Sequence, residues 1–188
     1  MQATDILVSE HEVILSVVEA LEAAADRLEA GAPIRPGFFE DAAAFFKGFA
    51  DGCHHAKEEG ALFPAIEKHS PAAQNGPVGV MLSEHEQSRA YIRGLREAAQ
   101  RLGAGDESAR AEVLSNARGY ARLLRQHILK ENTVLFPLAG RLIPADEHDA
   151  VLDAFERVEH EETGEGVHEK YLALAEALRS EAGLVVAQ

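Results

Sequence analysis

The sequence predicts an all-α protein: an up-down-up-down bundle of four long helices followed by a C-terminal helical appendage. Three observations carry this. Apolar residues recur at three- and four-residue spacing over long stretches, as in helices with one buried face. Ala, Leu, Glu and Arg dominate, while β-branched clusters bounded by turn residues are scarce. Glycine and proline fall in short groups that divide the chain into rods.

The first helix is expected from Asp5 to Ala30, with Ile6, Leu7, Val13, Ile14, Val17, Val18, Leu21 and Leu28 as its apolar stripe, and Gly31 and Pro33 ending it. After Pro36-Gly37 a second helix runs from Phe38 to His69, with five phenylalanines near its start (Phe38, Phe39, Phe45, Phe46, Phe49). The Asn75-Gly76-Pro77 turn leads into a third, Val78 to Leu102, which Gly103 and Gly105 break. The fourth spans Glu107 to Leu142, with Asp106 as its N-cap. Pro144 opens a shorter segment to Glu162, and Thr163-Gly164-Glu165-Gly166 leads into a last helix, Val167 to Glu181. Residues 1–188 are expected to form one domain, with the bundle over about 4–142 and the appendage over about 144–181. Gly183 to Gln188 reads as a tail.

With 188 residues, 46% of them apolar, the chain can bury a core. Its 18 Lys and Arg against 32 Asp and Glu give a net charge of −14. That balance argues against nucleic acid and against an anionic membrane surface, both of which need a basic footprint. The single cysteine, Cys53, cannot form an internal disulfide. No apolar run is long enough to span a bilayer, and Met1 to Glu12 lacks a signal-peptide pattern. A cytoplasmic monomer or weak homo-oligomer is expected.

Self-comparison places the chemistry. Ser9-Glu10-His11-Glu12 recurs as Ser83-Glu84-His85-Glu86. The stretch from His54 through Lys57-Glu58 to Leu62-Phe63-Pro64 recurs from His127 through Lys130-Glu131 to Leu135-Phe136-Pro137. The first pair lies 74 positions apart (11 to 85) and the second 73 (54 to 127). Each half is therefore a helical hairpin with one His on its first helix and a His-x-x-x-Glu on its second. An approximate two-fold axis would bring His11, His54, Glu58, His85, His127 and Glu131 to one level. Both His54/Glu58 and His55/Glu59 have the i,i+4 spacing that shares a helix face. Only the former registers with His127/Glu131, because Ile128 and Asn132 stand opposite His55 and Glu59. His54 and Glu58 are expected to face inward, with His55 and Glu59 as neighbours.

Four imidazoles and two carboxylates suit iron, manganese or zinc, and the absence of cysteine ligands argues against an iron–sulfur cluster. Two carboxylates on opposing helices can bridge two ions roughly 3.5–4 Å apart. The set favours two metals with an open coordination position.

At these residues the chain resembles the hemerythrin-like family, the hemerythrin HHE cation-binding domain. The resemblance rests on Glu-His-Glu at 10–12 and 84–86, His-His-x-x-Glu-Glu with Leu-Phe-Pro at 54–64, and His-x-x-x-Glu with Leu-Phe-Pro at 127–137. It covers about residues 4 to 142 and implies an up-down four-helix bundle around two iron ions joined by an oxo or hydroxo bridge. The ligands it implies are His11, His54, Glu58, His85, His127 and Glu131. Oxygen-carrying members place another His four residues after the third-helix His. Here that position is Arg89. Either a coordination site is left open or another side chain replaces the lost ligand, and His168 in the appendage is the candidate replacement, with Tyr171 beside it on the same face. His69, His148 and His160 lack repeat partners and read as surface residues. Glu10, Glu12, Glu84 and Glu86 are in reach of ligand imidazoles, and most are expected to be solvated.

The function so implied is a non-heme di-iron protein that binds or reacts with a small oxidant: hydrogen peroxide, oxygen or nitric oxide. Open positions beside Arg89 favour catalase-like peroxide removal, and an Arg89 head turned inward would attract a hydroperoxide anion. The alternative is a non-catalytic module that binds, stores or senses oxygen, nitric oxide or iron. No catalytic residue beyond the metal ligands is assigned.

Overall fold

Every expected rod forms, and the rods alternate in direction. The computed structural model describes residues 3–35, 37–163 and 166–184. Helix α1 (Ala3–Glu29) stops where Gly31 takes φ +69°. The N–H groups of Gly31 and Ala32 there return to the carbonyls of Leu28 and Arg27, satisfying the orphaned helix end. The second rod is α2 (Phe38–Phe45), a π-helical stretch (Phe46–His55), a second π stretch (Glu58–Leu62) and α3 (Phe63–His69), with Ala56 and Lys57 helical between them. Helix α4 (Pro77–Gly103) is the third rod. The fourth is α5 (Arg110–Lys130), a π turn (Glu131–Leu135) and α6 (Phe136–Leu142), entered through a turn in which Asp106 accepts from the Ser108 N–H. Among the described residues there is no strand, and no helix is long and apolar enough to cross a membrane.

Two of the π stretches, Glu58–Leu62 and Glu131–Leu135, have a cause in the sequence. Pro64 and Pro137 lie inside their rods, where a proline has no N–H to donate and its ring strikes the carbonyl four residues back. Both rods widen just before the proline. The Phe63 N–H reaches back five residues to the Glu58 carbonyl, and the Phe136 N–H reaches back to that of Glu131. The repeated Leu-Phe-Pro therefore sets the backbone at the two repeated glutamates.

Beyond α6 the chain turns through α7 (His148–Arg157) and a π turn (Val158–Thr163) into α8 (Val167–Glu181). Helix α7 lies along α1 and the Glu58–Leu62 stretch, and α8 along α1 and α2. Arg35 pins the end of α8 by pairing with both Glu181 and Asp41. The Tyr171 ring rests where a side chain on Gly48 would be, since a Cβ there would lie 1.8 Å from the Tyr171 hydroxyl. Gly48→Ala is accordingly expected to cost about 1–3 kcal/mol by overpacking. The check is the denaturation midpoint of Gly48→Ala, Tyr171→Ala and the double variant, in which the two losses should not add.

Two apolar clusters fill the molecule. One gathers Ile14, Val17, Leu21, Phe45, Phe49, Leu95 and Leu124 with their neighbours, and the other gathers Leu7, Leu62, Phe63, Met81, Leu135, Phe136 and Phe155. Along every rod the repeated His and Glu fall at the boundary between the two. A polar disc thus cuts the core across its middle.

Candidate metal centre

The disc is built by duplicated contacts. His11 stacks on Phe136, with ring centroids 5.5 Å apart, and His85 stacks on Phe63 at 5.8 Å, so each Phe of the Leu-Phe-Pro repeat floors the His of the other half. His54 Nδ1 donates to Glu10 (2.9 Å) and His127 Nδ1 to Glu84 (3.0 Å). Lys57 pairs with Glu10, and Lys130 with Glu84. His11 Nδ1 donates to Asn132 (2.9 Å) and His85 Nδ1 to Glu59 (2.7 Å). Asn132 and Glu59 are repeat equivalents, so four imidazoles obtain outer partners under one pseudo-two-fold rule.

An acceptor behind each Nδ1 fixes the tautomer that turns a bare Nε2 inward, the arrangement that orients ligating histidines. The inner atoms fall into two groups of four whose donor atoms lie within 4.8 Å of one another: His11, His54, Glu58 and Glu131, and His55, Glu58, His85 and His127. Glu58 belongs to both groups, and Glu131, a member of the first, also faces His127 of the second. The Glu58 oxygens lie 3.7 Å from His54 Nε2 and 3.4 Å from His85 Nε2. Those of Glu131 lie 3.0 Å from His127 Nε2 and 3.1 Å from His11 Nε2. Each carboxylate offers one oxygen to each group, which is the geometry of a bridging ligand.

The residues fit a pair of cations on a second count. Both oxygens of Glu58, both of Glu131, and the Nε2 atoms of His11 and His54 are buried without a hydrogen-bond donor. His85 Nε2 and His127 Nε2 face each other at 3.1 Å. Buried acceptors that converge on one another are costly unless a cation lies among them.

Without cations, protons take their place. Burial opposes charge on His127, but Glu131 and Glu84 beside it push it up to about 10. Burial also resists ionisation of Glu131, yet His127 and His11 hold it well below the usual carboxylate range. His55 is the exception: burial and the imidazoles of His85, His54 and His127 push it well down, so it stays neutral, the form that ligates.

His55 is the residue that sequence reasoning missed. Expected as a neighbour, it is 1% exposed and stacks on His85 with ring centroids 3.7 Å apart. Adjacent residues on a helix diverge by roughly 100°, which rules out two inward histidines at a point but not at a centre two ions wide. His54 serves one group and His55 the other. His168 does not join either group. It lies beside Glu10, Cys53 and Glu159, on the outer side of His54. Tyr171 is displaced further still, against Phe45 and Gly48. Of the outer glutamates, Glu10 and Glu84 bond imidazoles while Glu12 and Glu86 are exposed. His69 pairs with Glu147, His148 is half-buried and His160 exposed, all three outside these groups.

Arg89 does not point inward either. Its guanidinium spans Asp51 (2.8 Å), Glu59 (2.7 Å) and Glu86 (2.6 Å). Asp51 accepts from His55 Nδ1 (3.4 Å) and Glu59 from His85 Nδ1, so Arg89 holds the outer partners of two imidazoles in the same group. A groove of about 910 Å³ has Asp51, Ser88 and Arg89 among its lining residues. Arg89→Met should weaken metal binding in the His55 group by roughly 10- to 100-fold. Arg89→Lys should recover only part, because an ammonium lacks the planar fork. Competition with a chelator of known affinity checks both.

A family model for the hemerythrin HHE cation binding domain matches residues 2–139. Three uncharacterized proteins, one from Mycobacterium bovis and two from strains of Mycobacterium tuberculosis, are each 24% identical over 163 residues. The match covers 87% of this chain and 63% of each relative, so the chain spans somewhat less than two thirds of their length. No solved structure matches. With the duplicated His and Glu ligand geometry and a family match over most of its length, the chain belongs to the hemerythrin HHE cation-binding family.

Proposed function

We propose that the chain is a non-heme di-iron protein whose centre takes up one small oxidant on the His11–His54 side. The observation that carries this reading is the division of the Glu58 and Glu131 oxygens between two histidine groups of unequal size. His11, His54, Glu58 and Glu131 make four donors, and His55, His85, His127 and Glu58 make four more, to which Glu131, 3.0 Å from His127 Nε2, would add a fifth. Were two six-coordinate ions held here with one shared oxygen, the His55 side would have its donors filled and the His11–His54 side would keep room for one small ligand. A di-iron pair supplies a reversible two-electron couple. The chain's own side chains do the rest. Phe136 and the apolar cluster beyond it exclude water from the His11 face, and the Lys57–Glu10 and Lys130–Glu84 pairs hold His54 and His127 in their ligating orientation.

The case for peroxide removal leaned on positions left open beside Arg89. His55 now supplies the fifth imidazole, and with one vacancy, uptake of oxygen or nitric oxide becomes the leading reading. The test is to load the stripped chain with ferrous iron and count ions per chain, then look for a reversible adduct with oxygen and with nitric oxide. In parallel, oxygen release from hydrogen peroxide is followed. One reversible adduct per pair of irons supports the proposal, and sustained peroxide turnover with no such adduct overturns it in favour of a catalase-like enzyme.

A further inference from the structure

The appendage brings a different donor set to the outer side of His54. Cys53, His168, Glu159 and Glu10 each turn one donor atom toward a common point, and those atoms lie within 4.8 Å of one another. They come from α1, the π stretch ahead of His54, the Val158–Thr163 turn and α8. Cys53 is 1% exposed, and the Nδ1 atom of His168 is buried with no hydrogen-bond partner.

Lys57 already stands among them, buried and ion-paired with both Glu10 and Glu159. Cys53 lies close to the same ammonium. An ammonium has three N–H donors. Glu10 and Glu159 engage it, the Cys53 sulfur lies beside it, and the fourth converging atom, His168 Nδ1, is left over. A tetrahedral cation satisfies four.

We propose that Cys53, His168, Glu159 and Glu10 form a third cation site, separate from the two groups bridged by Glu58 and Glu131, in which a divalent zinc, ferrous or cobalt ion takes the place of the Lys57 ammonium. The thiolate makes the site borderline-soft and excludes magnesium and calcium. On binding, the Cys53 thiol loses its proton to solvent and the sulfur lone pair passes to the ion. Glu10 connects the site to the centre: one of its oxygens accepts from His54 Nδ1 and the other faces Lys57. An ion held here stands one carboxylate away from the paired site, in the position of a staging point for metal on its way in or out.

The chain's single cysteine makes the site its own reporter. Stripped chain titrated with cobalt(II) should develop thiolate-to-cobalt absorption in the near ultraviolet, which only Cys53 can produce. Cys53→Ser should abolish that band and leave the other bound ions in place. His168→Ala should weaken the band-forming event by at least the roughly tenfold that even an outer partner commands. Lys57→Met, which removes the competing ammonium and keeps the apolar stem, should tighten it. Glu131→Ala, which dismantles the paired centre, should leave the band intact, so failure of the di-iron reading would not carry this site with it. The proposal is overturned if neither the wild-type chain nor Lys57→Met shows thiolate absorption at saturating cobalt. It is equally overturned if folded Glu131→Ala loses the band, or if His168→Ala binds as tightly as the wild type.

Discussion

Glu131→Ala should empty both halves of the paired centre and lower the stability of the metal-loaded chain by about 3–5 kcal/mol, the range for removing one partner of a buried charged set. The side chain is fully buried, and its two oxygens face His127 and His11 in different groups. Its loss therefore strips each ion of a donor and of half its charge compensation at once. Because a preformed site is absent from the unfolded chain, metal binding energy is folding energy. Wild-type protein should lose stability when a chelator is added, and Glu131→Ala should no longer respond. Glu131→Gln, which keeps the shape and removes the charge, separates bridging from packing: it should lose the ions as well. Two ions per chain and an undiminished chelator response in Glu131→Ala would count decisively against the bridging role.

The pH dependence of stability should change sign when the metal is removed. In the metal-free chain burial disfavours the charged forms of His54, His85 and His127, but the facing glutamates raise all three, His127 to about 10. A raised imidazole contributes stability that is fully present below its unfolded value of about 6.5 and is lost as pH climbs through the folded value. His55, pushed down instead, acts in the opposite sense, but below about pH 6.5 and so outside this window. Metal-free protein should accordingly weaken on the order of a few kcal/mol between roughly pH 6.5 and 9. Metal-loaded protein should strengthen over the same window, since the ions displace those protons and meet less competition as pH rises. Denaturant midpoints measured with and without chelator decide it, and slopes of the same sign in both would refute the assignment of these imidazoles as ligands.

Much of this was legible in the amino-acid order. Gly31 and Gly105 end their helices as expected, each with positive φ, and the repeat alone pointed to His11, His54, Glu58, His85, His127 and Glu131, which the fold gathers in two adjoining groups. The misses share a physical origin. Repeat registration treats each half as the same object, and so it hid His55, whose counterpart is Ile128. That one substitution, with Asp51 and Arg89 behind it, makes the two groups unequal. The π-wide turns were hidden too, because apolar periodicity reports which face is buried and not whether a turn carries one extra residue. Pro64 and Pro137 were the available signal. The burial of Lys57 depends on Glu159, which α7 and the turn after it place over it, a contact between residues too distant in sequence for any local pattern to express.

The polar disc across the core also bears on how the molecule comes apart. Each apolar cluster draws on all four rods, but the side chains joining them are buried imidazoles and carboxylates, held in the metal-free chain by protons shared between His and Glu and in the loaded chain by cations. Cooperativity between the two ends of the bundle therefore passes through the ligand layer. Amide exchange in the loaded chain should report one opening unit. In the stripped chain it should report two, with the Leu7–Phe63–Phe136 end, the smaller cluster, opening at lower free energy than the phenylalanine-rich end. The ions would then act as the rivet that makes two half-bundles unfold as one.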